Sequence, residues 1–138
     1  MTDLAMRFAE EAERLVGVPY RLYGRSPAAG LDCVGLAIAA LKNCGRPVAD
    51  RSGYSLRISN LSELFDLARK CGFRPACGST VPGDVYCVKP GPAQAHIVIA
   101  GRSGRFLHAH AGLGRVVSQG SLPDWPILAH WRLFTEPE

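Results

Sequence analysis

One stretch constrains the fold more than any other. It is Leu31-Asp32-Cys33-Val34-Gly35-Leu36, an acidic-thiol step that opens a nearly all-apolar segment running to Leu41. A helix that is apolar on most sides must be surrounded by the rest of the chain, so the pattern predicts a central helix from Cys33 to Asn43, stopped by Gly45 and Pro47. Asp32 is its natural N-cap. A thiol at a helix start meets the positive end of the helix dipole, which favours thiolate over thiol, so Cys33 has the setting of a nucleophile. The same step also suits a core helix that happens to begin with a buried, inert Cys.

A chain of 138 residues can bury a core without staples and reads as one domain over 1–138. No apolar run approaches the ~18 residues of a membrane span. Met1-Thr2-Asp3-Leu4, followed by Glu10, Glu11 and Glu13, lacks the basic-then-apolar order of a secretory signal, so synthesis without a signal peptide in the cytoplasm is expected. The net charge of +4 is scattered as single Arg and Lys residues, which speaks against a nucleic-acid stripe. Five cysteines without a C-x-x-C pair point to reduced thiols.

The first helix, capped by Asp3, carries Leu4, Phe8, Ala12 and Leu15 at helical spacing and ends at Gly17 and Pro19. Gly17-Val18-Pro19-Tyr20 through Gly24 and the loop from Arg25 to Gly30 deliver two tyrosines just ahead of Cys33. Arg46 to Ser59 lacks periodicity and reads as a surface loop. Asn60 with Glu63 resembles a capping box for a third helix bearing Leu61, Leu64, Phe65 and Ala68, which stops at Gly72. Beyond it come short β-rich runs at 84–89, 96–100, 105–110, 115–118 and 130–134. Helices first and strands later imply an α+β fold, N-terminal helices packed on a mostly antiparallel sheet.

His96-Ile97-Val98-Ile99-Ala100 and Arg105-Phe106-Leu107-His108-Ala109-His110 flank a Gly-Arg-Ser-Gly turn, a hairpin signal. A three-residue loop centred on Arg102 would pair Ala100 with Gly104 and set His96 opposite His108, with the two imidazoles neighbours on one face. Nucleophile, base and orienter would then be Cys33, His96 and His108, with His96 holding the thiolate as an ion pair and later protonating the leaving amine. Backbone N–H groups at the helix start, with the Tyr20 hydroxyl, would receive the oxyanion. His110 shares the strand face with His108 and rivals it as orienter. Cys33, His96, His108 and His110 could also ligate Zn²⁺, but the chain lacks ordinary zinc spacing, so no metal or other cofactor is called for. His130, Cys44, Cys71, Cys77 and Cys87 read as structural, and Tyr23, Trp125 and Trp131 as packing.

Taken in order, Gly17-Val18-Pro19-Tyr20, Tyr23-Gly24, Asp32-Cys33-Val34-Gly35-Leu36, Pro82-Gly83-Asp84-Val85, His96-Ile97-Val98-Ile99 and Phe106-Leu107-His108-Ala109 resemble the motifs of the NlpC/P60 cysteine peptidases. The resemblance implies a papain-like α+β domain that hydrolyses peptidoglycan stem peptides, commonly between D-glutamate and a diamino acid. It also implies Cys33 as nucleophile, His96 as base and His108 as third polar residue. Tyr20 and Asp32 match substrate-side positions, the acid receiving the free amine of the stem peptide's L-alanine. Many members carry Ser directly after the nucleophile, where this chain has Val34. That apolar residue and the closing Ala129-His130-Trp131-Arg132-Leu133-Phe134 resemble the phage-tail branch, including gene transfer agents, and imply a tail-tip component that contacts tail-tip or baseplate hub proteins and acts at the cell wall. Two rivals stay open: a structural tail-tip protein without turnover, and an acyltransferase or amidase using the same thiol–imidazole pair.

Overall fold

The apolar segment after Asp32 is a buried helix, and the other elements are arranged around it. The computed structural model describes residues 4–46, 48 and 58–134. Three helices, α1 (Leu4–Glu13), α2 (Cys33–Asn43) and α3 (Leu61–Lys70), accompany eight strands. A two-stranded ladder is formed by β1 (Arg25–Ser26) and β2 (Gly30–Leu31). The main sheet comprises β3 (Phe73–Pro75), β4 (Val85–Gly91), β5 (Gln94–Ala100), β6 (Phe106–His110), β7 (Arg115–Gln119) and β8 (Ile127–Leu133), in the order β3-β8-β4-β5-β6-β7, with every pair antiparallel. The expected α+β class is what forms.

Eight of the residues of α2, from Cys33 to Leu41, are buried, and the Asp32 carboxylate caps the helix by accepting the Gly35 N–H at 2.8 Å. The helices cover the sheet face that carries Val85, Cys87, Ile97, Ile99, Leu107 and Ala109. On α1 the stripe Leu4, Phe8 and Ala12 is buried as the spacing predicts. Its Asp3 cap, like most of the loop expected over Arg46 to Ser59, lies outside the described residues. On α3, Leu64 and Leu67 are buried, but Asn60 makes no side-chain capping bond, so the expected capping box does not form. A single 3₁₀ turn, Ile58–Asn60, leads into the helix instead. All five cysteines are free thiols. No helix among the described residues is long and apolar enough to cross a membrane.

The hairpin of β5 and β6 forms in a different register from the one expected. Ile99 pairs with Leu107 and Ala100 with Phe106, so Ala100 does not pair with Gly104. The cause lies in the turn: Ser103 and Gly104 both take positive φ, and the Gly101 N–H bonds to the Arg105 carbonyl at 2.8 Å, which lengthens the connection to five residues. Arg102 at the tip is tied to α1 through Glu13, its N–H donating to Oε2 at 2.6 Å and its Nε to Oε1 at 2.8 Å. The shift is two residues, an even number, so His96 and His108 keep the same face and become diagonal neighbours.

Candidate active site

Cys33 is the first residue of α2 and is only 1% exposed. The backbone N–H groups of Ile97, the residue following His96 on β5, and of Val34 lie close enough to its sulfur to favour the thiolate. Cys33 and His96 line one cleft of about 200 Å³, together with Tyr20, Leu22, Gln94 and Ala109. The segment ahead of the nucleophile is stitched in place between two strands. The Leu31 N–H donates to the Pro19 carbonyl at 2.9 Å and the Tyr20 N–H to the Gly114 carbonyl at 2.8 Å. Tyr20 thereby reaches the cleft wall.

His96 Nε2 lies 2.9 Å from His108 Nδ1, so the diagonal pair makes the contact expected of base and orienter. His110 does not share it: its Nδ1 accepts the Leu113 N–H at 3.0 Å within the following turn. Beyond His108 the network continues, with Nε2 2.8 Å from Gln119 Oε1 and Gln119 Nε2 donating to the Ser121 carbonyl at 3.0 Å. Trp125 stands edge-on to both imidazoles, with centroids 5.9 Å from His96 and 6.4 Å from His108. No group of three or more metal-ligating side chains occurs among the described residues.

Burial governs the electrostatics. Desolvation, then repulsion from His108 and His110, pushes His96 down to about 3. Desolvation likewise holds His108 below its ordinary value, against a bond to Gln119 that favours its charged form. The Cys33 thiol is pushed up to about 12 by burial and by the Asp32 carboxylate, against a smaller opposing influence of the Ile97 and Val34 N–H groups. In the free protein both shifts favour the neutral thiol and the neutral imidazole over the ion pair the sequence suggests. The Tyr20 hydroxyl is raised by burial, then by Asp32 and Cys33, and stays a neutral donor.

Asp32 is 2% exposed, and both of its oxygens accept hydrogen bonds. Oδ1 accepts from the Gly35 N–H and from Arg25 Nη1 at 2.9 Å, and Oδ2 accepts the Tyr23 N–H at 2.9 Å. It binds the Tyr23–Arg25 loop to the start of α2, where Tyr23 takes the unusual φ of 61° and Gly24 lies so close to Gly30 that a Cβ would sit 2.1 Å from its carbonyl oxygen. Val34 points away from the cleft into an apolar gap shared with Leu64, Phe73 and Trp131.

Two features escaped the sequence reading. Gln119 is the first, and pairing β6 with β7 would have revealed it, because Gln119 lies diagonal to His108 across that ladder. The second is the cluster around Asp84, whose motif the sequence shows but whose partners it does not; Asp84 is wholly buried at the foot of β4. Arg132 grips both its oxygens at 2.9 and 3.0 Å, and His130 Nε2 sits 2.7 Å away.

The family model described as NlpC/P60 family matches residues 17–126. No curated protein matches the chain in sequence. Among solved structures, NlpC1 from Trichomonas vaginalis is similar at 19% identity and a TM-score of 0.69 over 99% of this chain, which spans 46% of that protein. NlpC2 from the same organism is similar at 20% identity and 0.65, with coverage of 99% and 48%. The chain thus spans about half the length of either. The NlpC/p60 domain of the peptidoglycan hydrolase SagA is similar at 22% identity and 0.61, covering 91% of this chain and 96% of that one. At these identities the likeness shows a shared fold.

Proposed function

Because the chain belongs to the NlpC/P60 family, we propose that it is a cysteine peptidase that cuts peptidoglycan stem peptides, with Cys33 as nucleophile, His96 as base and His108 as orienter. One placement carries the reading: Cys33, at the start of α2, and His96, on β5, line the same cleft, and His96 leans on His108. That one similar fold belongs to a peptidoglycan hydrolase supports the substrate class.

His96 uses Nε2 toward His108, which leaves Nδ1 to receive the thiol proton. As substrate fills the cleft, the proton passes from Sγ to Nδ1 while the sulfur attacks the scissile carbonyl carbon. The carbonyl oxygen becomes an oxyanion, met by the Cys33 N–H at the start of α2 and by the Tyr20 hydroxyl. Its collapse breaks the C–N bond, and His96 returns its proton to the departing amine. Water, deprotonated by the same imidazole, then hydrolyses the thioester and restores the thiol. Asp32 serves the substrate side through the Tyr23–Arg25 loop that its carboxylate holds.

The bond proposed is that between D-glutamate and the diamino acid, and the setting a phage-type tail tip acting at the cell wall as one catalytic domain. The bond rests on the family motifs, and the setting on the apolar Val34 and the Ala129–Phe134 segment. The burial of Cys33 favours a second reading, a tail-tip protein that keeps the fold without turnover. Muropeptides incubated with wild type and Cys33→Ala, analysed by mass spectrometry, separate the two. Peptidase action gives a Cys33-dependent cut between the second and third stem residues; uncut peptides with folded, reduced protein would favour the structural reading.

A further inference from the structure

The hydrogen bonds beyond His108 have a polarity, and it can be traced from one end. The Ser121 carbonyl oxygen can only accept, so the Gln119 group facing it must be the NH₂, and Gln119 Oε1 must face His108. The reversed amide would set two acceptors against each other. Oε1 in turn requires a proton on His108 Nε2. A neutral imidazole carries one ring proton, so His108 Nδ1 is left with a lone pair, and at 2.9 Å it can only receive the proton of His96 Nε2. The His96 proton is thereby confined to Nε2.

We propose that Gln119 is a positioning residue that fixes the tautomer of His96, with the Ser121 carbonyl as the anchor of a one-way chain running through Gln119 and His108. The chain crosses β7, β6 and β5 in two diagonal steps on one sheet face, opposite the helices. Trp125 lies against both rings from the loop after β7 and helps keep water from replacing the protein partners. Without Gln119 Oε1, His108 is free to carry its proton on Nδ1. That places two N–H groups against each other unless His96 also moves its proton, from Nε2 to Nδ1, and a protonated Nδ1 cannot take the thiol proton. A carboxylate at 119 accepts from His108 Nε2–H just as the amide oxygen does, so it preserves the polarity while adding charge.

The proposal rests on His96 as base, but its first readout does not depend on turnover. Two-bond ¹⁵N–¹H spectra of imidazole-labelled protein at pH 7.5 are expected to show His96 and His108 both protonated on Nε2. In Gln119→Leu a population of Nδ1–H His96 appears, and kcat on muropeptides falls by about 10²-fold with KM within twofold of wild type. In Gln119→Glu the Nε2–H tautomers persist and the acidic limb of the kcat/KM profile moves to higher pH. Nδ1–H His96 in the wild type, or an unchanged His96 tautomer in folded Gln119→Leu, would overturn the proposal. If Gln119→Leu does not fold, the wild-type and Gln119→Glu spectra still decide it. Correct tautomers in a protein that cuts no muropeptide would count against the peptidase reading and leave Gln119's role standing.

Discussion

Two histidine networks share the sheet face opposite the helices, and they differ in how they handle charge. In one, His130 and Arg132 both bond Asp84; in the other, His96 bonds His108, which bonds Gln119. By composition the first looks more like a base with its orienting carboxylate. It is closed, however: Arg132 and the Val81 N–H complete the Asp84 shell, His130 lies flat on Tyr86 at 4.3 Å, and Arg132 also reaches the Ser79 carbonyl. The second contains no carboxylate and no fixed charge, and one of its rings lines a cleft beside a thiol. A saturated ion cluster fastens β8 to β4 and the loop before it. An uncharged chain leaves His96 Nδ1 with a lone pair that can take a proton.

The sharpest way to break this contrast is to remove one group from each network. His96→Ala should lower kcat/KM by about 10³-fold or more, as expected for a lost general base, with the thermal midpoint little changed. Asp84→Asn should do the reverse. It leaves the partly exposed Arg132 with half a partner and weakens the bonds of a buried side chain, and should cost about 1–2 kcal/mol of stability, read by urea denaturation, with kcat per folded molecule within about twofold of wild type. A large loss of kcat in folded Asp84→Asn would mean that the two networks are not separate.

Acid should separate them next. His96 and His108 have folded pKa values below the ordinary imidazole value near 6.5, so the unfolded chain binds protons that the folded chain refuses. Their contribution is complete above about pH 6.5 and is lost as pH falls below it, by up to about 1.4 kcal/mol per unit for each ring. Asp84 acts lower. Burial would raise its carboxyl, but the bonds from Arg132, His130 and Val81 outweigh this and hold it below the ordinary carboxylate value. Its contribution is therefore present above about pH 4 and fades as pH drops through the depressed value. Melting curves from pH 7.5 to 5 should fall in the wild type and flatten when His96 and His108 are both Gln.

The thiol offers a smaller test. With Cys33 pushed up to about 12 and His96 down to about 3, burial favours the neutral form of both groups in the free protein. Iodoacetamide should label exposed Cys77 well before Cys33 at pH 7, with the Cys33 rate climbing as pH rises toward 10. Rapid Cys33 labelling below pH 7 would restore the ion pair. Tyr20→Phe, which removes one hydroxyl from the cleft, should lower kcat by about tenfold or less, the scale of a single neutral hydrogen bond.

What the sequence conveys here is what is local. The helix from Cys33 to Asn43, its Asp32 cap and the stripe of α1 are written in consecutive residues, and the order of motifs carries the family. The hairpin register failed because it turned on φ at Ser103 and Gly104, where a five-residue connection replaced a three-residue one without changing the face. β1, β2 and β3 are two or three residues long, too short for any alternation to register. Asp84 meets His130 and Arg132 across 46 and 48 residues, and Gln119 reaches His108 only once a third strand is in place.

That Cys33 attacks a peptide carbonyl with His96 as base is tested most directly by trapping the thioester. Protein mixed with muropeptide is quenched in acid within milliseconds to seconds, and the proteolytic fragment containing Cys33 is weighed. The expected result is a mass increase equal to the acyl half of the cut peptide, on Cys33 alone, absent from Cys33→Ala and rarer in His96→Ala. Stem peptides cleaved with no such adduct at any time, and equally by Cys33→Ala, would contradict it.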